Sequence, residues 1–209
     1  MPRKQRVWYE GACYHVMGRG NRRNAIFREE DDYRLFISIL RKVREKHMFT
    51  LHSFCLMTNH FHLQMTTGMD PIWKIMQRFM NFYARTFNLK YGYEGHLFDS
   101  RYTSALIEDD RYFLEVSRYI HLNPVKAQMV KEPLSYPYSS YELYVRERVP
   151  GRNVCGMAAD LMDTTRVLDS FSQDSREQYR MFVEEKISHA EQELQIQKDM
   201  KEDDLWLPS

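Results

Sequence analysis

Between residues 29 and 46 the apolar positions Tyr33, Phe36, Ile37, Leu40 and Val43 return every three or four residues, with acids in the first turn and bases in the last. That spacing and that charge order predict a helix packed along one face. Upstream, Ala12 to Met17 reads as a first strand after Gly11. Phe49 to Met57 and His60 to Thr66 read as two strands joined in a hairpin at Thr58-Asn59. Gly68 to Pro71 breaks the chain. Ile72 to Tyr91 is then a second amphipathic helix, with Ile75, Phe79, Phe82 and Phe87 in its apolar set and Lys74, Arg78, Arg85 and Lys90 decorating it. His96 to Ile107 reads as a fourth long strand. Asp109 and Asp110 suit the cap of a third helix, which Pro124 is expected to end near Asn123.

Strand, helix, hairpin, helix, strand is the order of a ferredoxin-like split βαβ unit. The expected class is therefore α+β, an antiparallel sheet with helices on one face and the other face open to a ligand. Residues 1–150 form the expected first domain, and Pro150-Gly151 marks its boundary. Residues 151–209 are expected to be an acidic, mostly helical extension, helical from Asp169 to about Lys201, with Tyr179, Phe182, Val183 and Ile187 as its apolar seam.

Charge divides the chain in the same place. Residues 1–150 carry 23 Lys and Arg against 16 Asp and Glu, whereas residues 151–209 carry 7 against 13, which together leave the net charge of +1. A basic body beside an acidic tail fits a polyanion-binding surface and equally a solvated one. No apolar run reaches the ~18 to 20 residues of a membrane span, so no membrane partner is expected. The opening Met1-Pro2-Arg3-Lys4-Gln5-Arg6 lacks the apolar core of a signal peptide. Cys13, Cys55 and Cys155 have no paired spacing and suggest neither a disulfide framework nor a thiolate zinc site. A reducing cytoplasm is the expected location.

Candidate chemistry begins at Asn59-His60-Phe61-His62. Strand alternation turns His60 and His62 to one side and Phe61 to the other, and two neutral imidazoles make half of a metal site. The triplet alone describes ordinary hydrogen-bonded histidines equally well. In the third helix Tyr112, Glu115, Tyr119 and Asn123 form one stripe, and Tyr119 and Asn123 are an i, i+4 pair. Such a stripe is also the common boundary between core and solvent. Gly18-Arg19-Gly20-Asn21-Arg22-Arg23 is a glycine-punctuated turn that offers guanidinium groups to phosphate. Arg3, Lys4 and Arg6, followed by Trp8 and Tyr9, suit an arm that lies along a nucleic-acid backbone and stacks on a base.

With these blocks in order, the chain resembles the single-tyrosine HUH transposases, most closely the REP-associated tyrosine transposases. The resemblance covers roughly residues 7–145. It rests on the Gly18 to Arg23 turn with Ile26-Phe27, on Asn59-His60-Phe61-His62-Leu63, and on Leu97-Phe98 leading to Arg101-Tyr102. Two further blocks are Arg118-Tyr119-Ile120-His121-Leu122-Asn123-Pro124-Val125-Lys126-Ala127 and Tyr136-Pro137-Tyr138-Ser139-Ser140-Tyr141. The chain departs from the usual pattern at Thr58, at Asp99-Ser100 and at His121, where proline, Gln-Gly and an acid are common.

The resemblance implies His60 and His62 as metal ligands, Asn123 as a polar third ligand, and Tyr119 as the nucleophile. It implies Mg²⁺ or Mn²⁺ as cofactor and single-stranded or hairpin DNA as partner, with Arg3, Lys4, Arg6, Arg19, Arg22, Arg23 and Arg101 as backbone contacts. The expected reaction is metal-dependent nicking and strand transfer through a 5′-phosphotyrosine, carried out at the nucleoid. A phenol with a pKa near ~10 needs help to lose its proton, from the metal, a water or a neighbour such as Glu115. Tyr112 is the competing nucleophile, and His121, about 200° around the helix from Tyr119, reads as a surface or DNA-contacting residue. Three matters stay open from sequence. The chain is a monomer using its own Tyr119 or a homodimer exchanging the tyrosine helix. It cleaves hairpin DNA or is a domesticated hairpin-binding protein that no longer cuts. An RNA-binding ferredoxin-like module is the third reading, although the central strands carry histidines where such a module wants exposed aromatics.

Overall fold

A computed structural model describes residues 7–151, 153–172 and 174–188. Four strands, β1 (Cys13–Arg19), β2 (Phe49–Met57), β3 (His60–Thr67) and β4 (Thr103–Ile107), form one antiparallel sheet in the order β2-β3-β1-β4. Helices α1 (Glu30–Arg44) and α2 (Ile72–Tyr91) follow β1 and β3, which is the ferredoxin-like order. Their apolar faces meet the sheet through Phe36, Phe79 and Tyr83, which pack with Phe61 and Leu63 of β3 in the larger of two cores. Asp32 ties the two helices together. It closes a capping box with Glu29 and accepts from Lys90 Nζ (2.7 Å) and Tyr91 Oη (2.8 Å) near the end of α2, while fully buried itself.

The second face, expected to stay open, is covered. Helix α3 (Asp110–Lys126) lies across it and builds the smaller core with Cys13, Cys55, Ala105 and Ile107. The short helices α4 (Tyr141–Val145), α5 (Val154–Met157) and α6 (Thr165–Leu168) and the longer α7 (Ser175–Glu184) complete the order. Val167, Tyr179 and Val183 join α3 in the smaller core, and Val154, Ala158 and Leu161 join the larger. Apolar stripes on short helices cannot be buried alone, and here both cores take them up.

Three further expectations change. The strand expected from His96 is confined to Thr103–Ile107, because the chain bends at Asp99-Ser100 and its front part pairs instead with the arginine turn (Asn21 N–H to Leu97 O, 2.8 Å). Helix α3 runs past Pro124 to Lys126. Pro124 removes one donor, but Ala127 N–H still reaches Asn123 O (2.9 Å), and the end comes at Gln128, whose φ is +57°. The acidic tail, expected to be helical from Asp169, forms turns and bends over residues 169–172, is helical over Ser175–Glu184 and makes a 3₁₀ turn over Glu185–Ser188, while residues 189–201 of the expected helix lie outside the described residues.

Candidate active site

β3 places the histidines. Phe61 points into the larger core, which leaves His60 and His62 on the α3 side. Gly18, opposite Phe61 in β1, is needed there because a Cβ would come within 2.6 Å of the Phe61 ring. The next residue outward in β1 on the histidine face is Met17, paired with His62, and beyond it His15, paired with Gln64. His15 thus shares the histidine face.

Hydrogen bonds orient both rings. Asn59 Nδ2 donates to Arg23 O (3.1 Å), a carbonyl that only accepts, so Asn59 Oδ1 is the acceptor facing His60 Nδ1 at 2.7 Å. His60 therefore carries its proton on Nδ1 and keeps a lone pair on Nε2. His62 Nδ1 is engaged by His15 Nε2 at 3.0 Å, which again leaves Nε2 for a ligand. Burial, and after it the charge of Arg19, pushes His60 down to about 4. Burial likewise holds His15 down to about 3 and His62 well below the imidazole range. All three are neutral near pH 7, the form in which imidazole binds metal.

Helix α3 sets Tyr119 against this pair. Its ring stands edge-on to His62 (centroids 5.6 Å, 88°) and to His15 (5.7 Å, 70°), and is itself only 8% exposed. Lys126, two turns on, brings its ammonium to 4.7 Å from the centroid of the Tyr119 ring. Asn123 Nδ2 donates to Tyr119 O at 2.9 Å, so Oδ1 is the atom left for ligation. Glu115, considered above as a proton acceptor, is paired with Arg118. Tyr112 sits at the first turn of α3, its N–H bound to the Asp109 cap (2.7 Å).

The atoms that these hydrogen bonds leave unused are His60 Nε2, His62 Nε2 and Asn123 Oδ1. Among the described residues no group of three or more His, Cys, Asp and Glu side chains gathers as a metal cluster, so a set of two histidines and an amide is what the site could offer an ion. Such a set suits a hard octahedral cation that keeps open positions for water and phosphate oxygens. Gln64 is not available to it, because Ser53 Oγ donates to its Oε1 (2.8 Å) and its Nε2 donates to Phe113 O (2.9 Å).

The arginine turn lies at the end of the same hairpin. Gly20 N–H donates to Asn59 O (2.8 Å), and Asn59 Nδ2 holds Arg23 O, so the turn is latched to the histidine strand. Arg22 and Arg23 are exposed and both have positive φ, +53° and +60°, which costs roughly 1 kcal/mol each and persists only where neighbours hold it. Arg19 pairs with Asp99 (2.8 Å), and Arg101 is exposed on the adjoining loop. Arg3, Lys4 and Arg6 lie outside the described residues, while Trp8 and Tyr9 are exposed beside them. His121, read from sequence as a surface residue, is fully buried, because α7 and α4 cover that side of α3. His15, Lys126 and the double role of Asn59 were not found from sequence. Strand alternation was the available signal for His15, but it becomes informative only once the β1–β3 register is known.

An antiparallel ferredoxin-like sheet under a helix is a scaffold that many activities share, so the class of this chain is read from known proteins. A family model described as IS200-like transposase matches residues 9–123, more than half of the chain, and the chain belongs to that family. The structure of a REP-associated tyrosine transposase bound to a REP hairpin superposes with a TM-score of 0.59, covering 84% of this chain and 93% of that one at 18% identity. At that identity the likeness is one of fold. A candidate transposase from Deinococcus radiodurans aligns with a TM-score of 0.41 and 17% identity over 57% of this chain and 95% of its own. No curated protein matches the sequence. Among the described residues no helix is long and apolar enough to cross a membrane.

Proposed function

We propose that this transposase-family chain is a divalent-metal-dependent, single-stranded DNA endonuclease and strand transferase that acts at hairpin or palindromic DNA. In this reading residues 1–150 are the catalytic unit and residues 151–209 an extension to it, working in the cytoplasm on chromosomal DNA. The observation that carries the reading is Tyr119 standing on the ring of His62 beside two histidines whose Nε2 atoms are left for a ligand. His60 Nε2, His62 Nε2 and Asn123 Oδ1 would hold Mg²⁺ or Mn²⁺. When bound, the ion supplies neutralisation of phosphate charge and in-line orientation of the scissile phosphodiester.

The chain's own groups do the rest. Tyr119 Oη forms the bond to phosphorus, the bond from phosphorus to the 3′ oxygen breaks, the phenolic proton leaves and the departing 3′ oxygen takes one up. A 5′-phosphotyrosine keeps the phosphodiester linkage energy, so another 3′-hydroxyl can reverse the step. Lys126 favours negative charge at the tyrosine, and the near-complete burial of Tyr119 limits water. Arg19, Arg22, Arg23 and Arg101, with the basic arm at Arg3, Lys4 and Arg6, would contact the DNA backbone. The hairpin in the related structure supports hairpin DNA as the partner.

The test is incubation with hairpin-bearing single-stranded DNA, with and without Mn²⁺, followed by denaturing electrophoresis. A metal-dependent covalent band is expected from the natural chain and none from Tyr119→Phe, which should still bind the hairpin. His60→Ala and His62→Ala should lose the band. An adduct from Tyr119→Phe would sink the assignment, and hairpin binding without any adduct from the natural chain would mark a DNA-binding protein that no longer cuts.

A further inference from the structure

Helix α3 carries two opposed i, i+4 pairs. Tyr119, with Asn123 one turn on along the same stripe, stands against His62 and His15, while Ser117 and His121, set about 200° around the axis from them, enter a buried polar chain. His121 Nδ1 lies 2.7 Å from Tyr179 Oη of α7, Ser117 Oγ is bonded to that same hydroxyl, and His121 Nε2 lies 2.8 Å from Ser140 Oγ. Ser140 Oγ in turn lies 3.3 Å from Phe54 O in β2 and accepts from Phe54 N–H at 2.9 Å. One proton direction satisfies every member: Ser117 donates to Tyr179, Tyr179 to His121, His121 to Ser140, and Ser140 to the Phe54 carbonyl. Ser117, His121, Tyr179 and Ser140 are all fully buried. Beside them Arg118 stacks on Phe182 (4.1 Å) and donates to Phe182 O (3.2 Å).

Buried hydrogen bonds are directional where apolar packing is not, so this chain sets the rotation of α3 and its depth over the sheet. Any turn or slide of α3 that moved Tyr119 away from His62 would also pull Ser117 and His121 off Tyr179. We propose that Tyr179, acting through His121 and Ser117, is a positioning residue for Tyr119, and that the C-terminal extension serves to align the nucleophile. Tyr179 lies beyond the residues matched by the family model, which end at 123. The inference rests on the reading of Tyr119 as nucleophile given above.

Tyr179→Phe in the full chain removes one oxygen and leaves the ring packed against Tyr144 (4.8 Å) and Phe182 (6.1 Å). The single-turnover rate of adduct formation with Mn²⁺ should fall about 10- to 100-fold, as expected for a displacement of ~1 Å at the reacting atom. Hairpin affinity should stay within about twofold. Amide exchange over residues 117–123 should quicken while that of β3 does not. The double variant Tyr179→Phe/His121→Leu removes the unpaired nitrogen, so its unfolding midpoint should recover while its rate stays low. A Tyr179→Phe rate within about twofold of the natural chain, or a double variant whose rate recovers with its stability, would overturn the proposal. Should Tyr179→Phe not fold, Ser117→Ala removes one of the two bonds to the same hydroxyl, and an unchanged rate there overturns it equally. If the natural chain forms no adduct, the proposed function fails by itself, and unchanged α3 exchange in Tyr179→Phe then decides against the brace.

Discussion

His15 Nε2 and His62 Nδ1 lie 3.0 Å apart, both rings buried and stacked with centroids 5.2 Å apart. For His62 to offer Nε2 to a cation, its proton must sit on Nδ1 and be donated to His15. That arrangement leaves the proton of His15 on Nδ1, a buried atom with no hydrogen-bond partner among the described residues. Under the proposed metal role of His62, that orphaned nitrogen is a stability cost carried to fix the tautomer of the ligand ring.

His15→Leu should separate these effects. The substitution removes the orphaned Nδ1 of His15 but strands Nδ1 of His62 in its place, so stability should change little, while Mn²⁺ affinity, read by calorimetry on the DNA-free protein, should fall about 10- to 100-fold. Unaltered Mn²⁺ affinity would reduce His15 to packing.

Asn59 has two duties that substitution can divide. Asn59→Asp keeps an acceptor for His60 Nδ1–H and loses the donor to Arg23 O, so metal affinity should hold while hairpin binding weakens as the arginine turn loosens. Asn59→Leu loses both, and metal affinity should drop about tenfold as well. Equal metal affinity in the two variants would show that Asn59 does not orient His60.

Gly18→Ala should destabilise the chain by roughly 1–3 kcal/mol in urea unfolding, since its Cβ would meet Phe61 Cε1 and Cζ at 2.6 Å inside a filled core. Phe61→Leu in the same background should restore part of the loss. A Gly18→Ala chain as stable as the natural one would mean that the Phe61 ring has room to move.

His52 makes acid stability testable away from the site. Burial, opposed in part by the Asp163 carbonyl and charge and reinforced by Arg166, holds its imidazole below the usual range. The folded state therefore refuses a proton that the unfolded chain accepts near ~6.5, so the contribution is present above that pH and is lost as pH falls through it. His52→Gln should shrink the stability difference between about pH 7.5 and 5.5. An unchanged slope in urea titrations would show that His52 already takes up a proton in the folded chain.

Local pattern alone determined a good part of this molecule. The apolar spacing of α2 and the short apolar run of β2 placed Ile72–Tyr91 and Phe49–Met57 where the structure has them, because α2 buries one stripe and β2 is buried on both faces. The same alternation put His60 and His62 on one side, and helical spacing put Tyr119 and Asn123 on another. What brings those two sides together is β1–β3 pairing and the packing of α3, which depend on contacts between residues far apart in the chain. His15 joins His62 only through strand register. His121 looked like a surface residue because a helical wheel reports the angle of a side chain and not what covers it, and the cover is Tyr179, nearly sixty residues downstream. Pro124 was read as a stop because its local cost is certain, whereas the packing of Ile120 and Leu122 that carries α3 through it is tertiary.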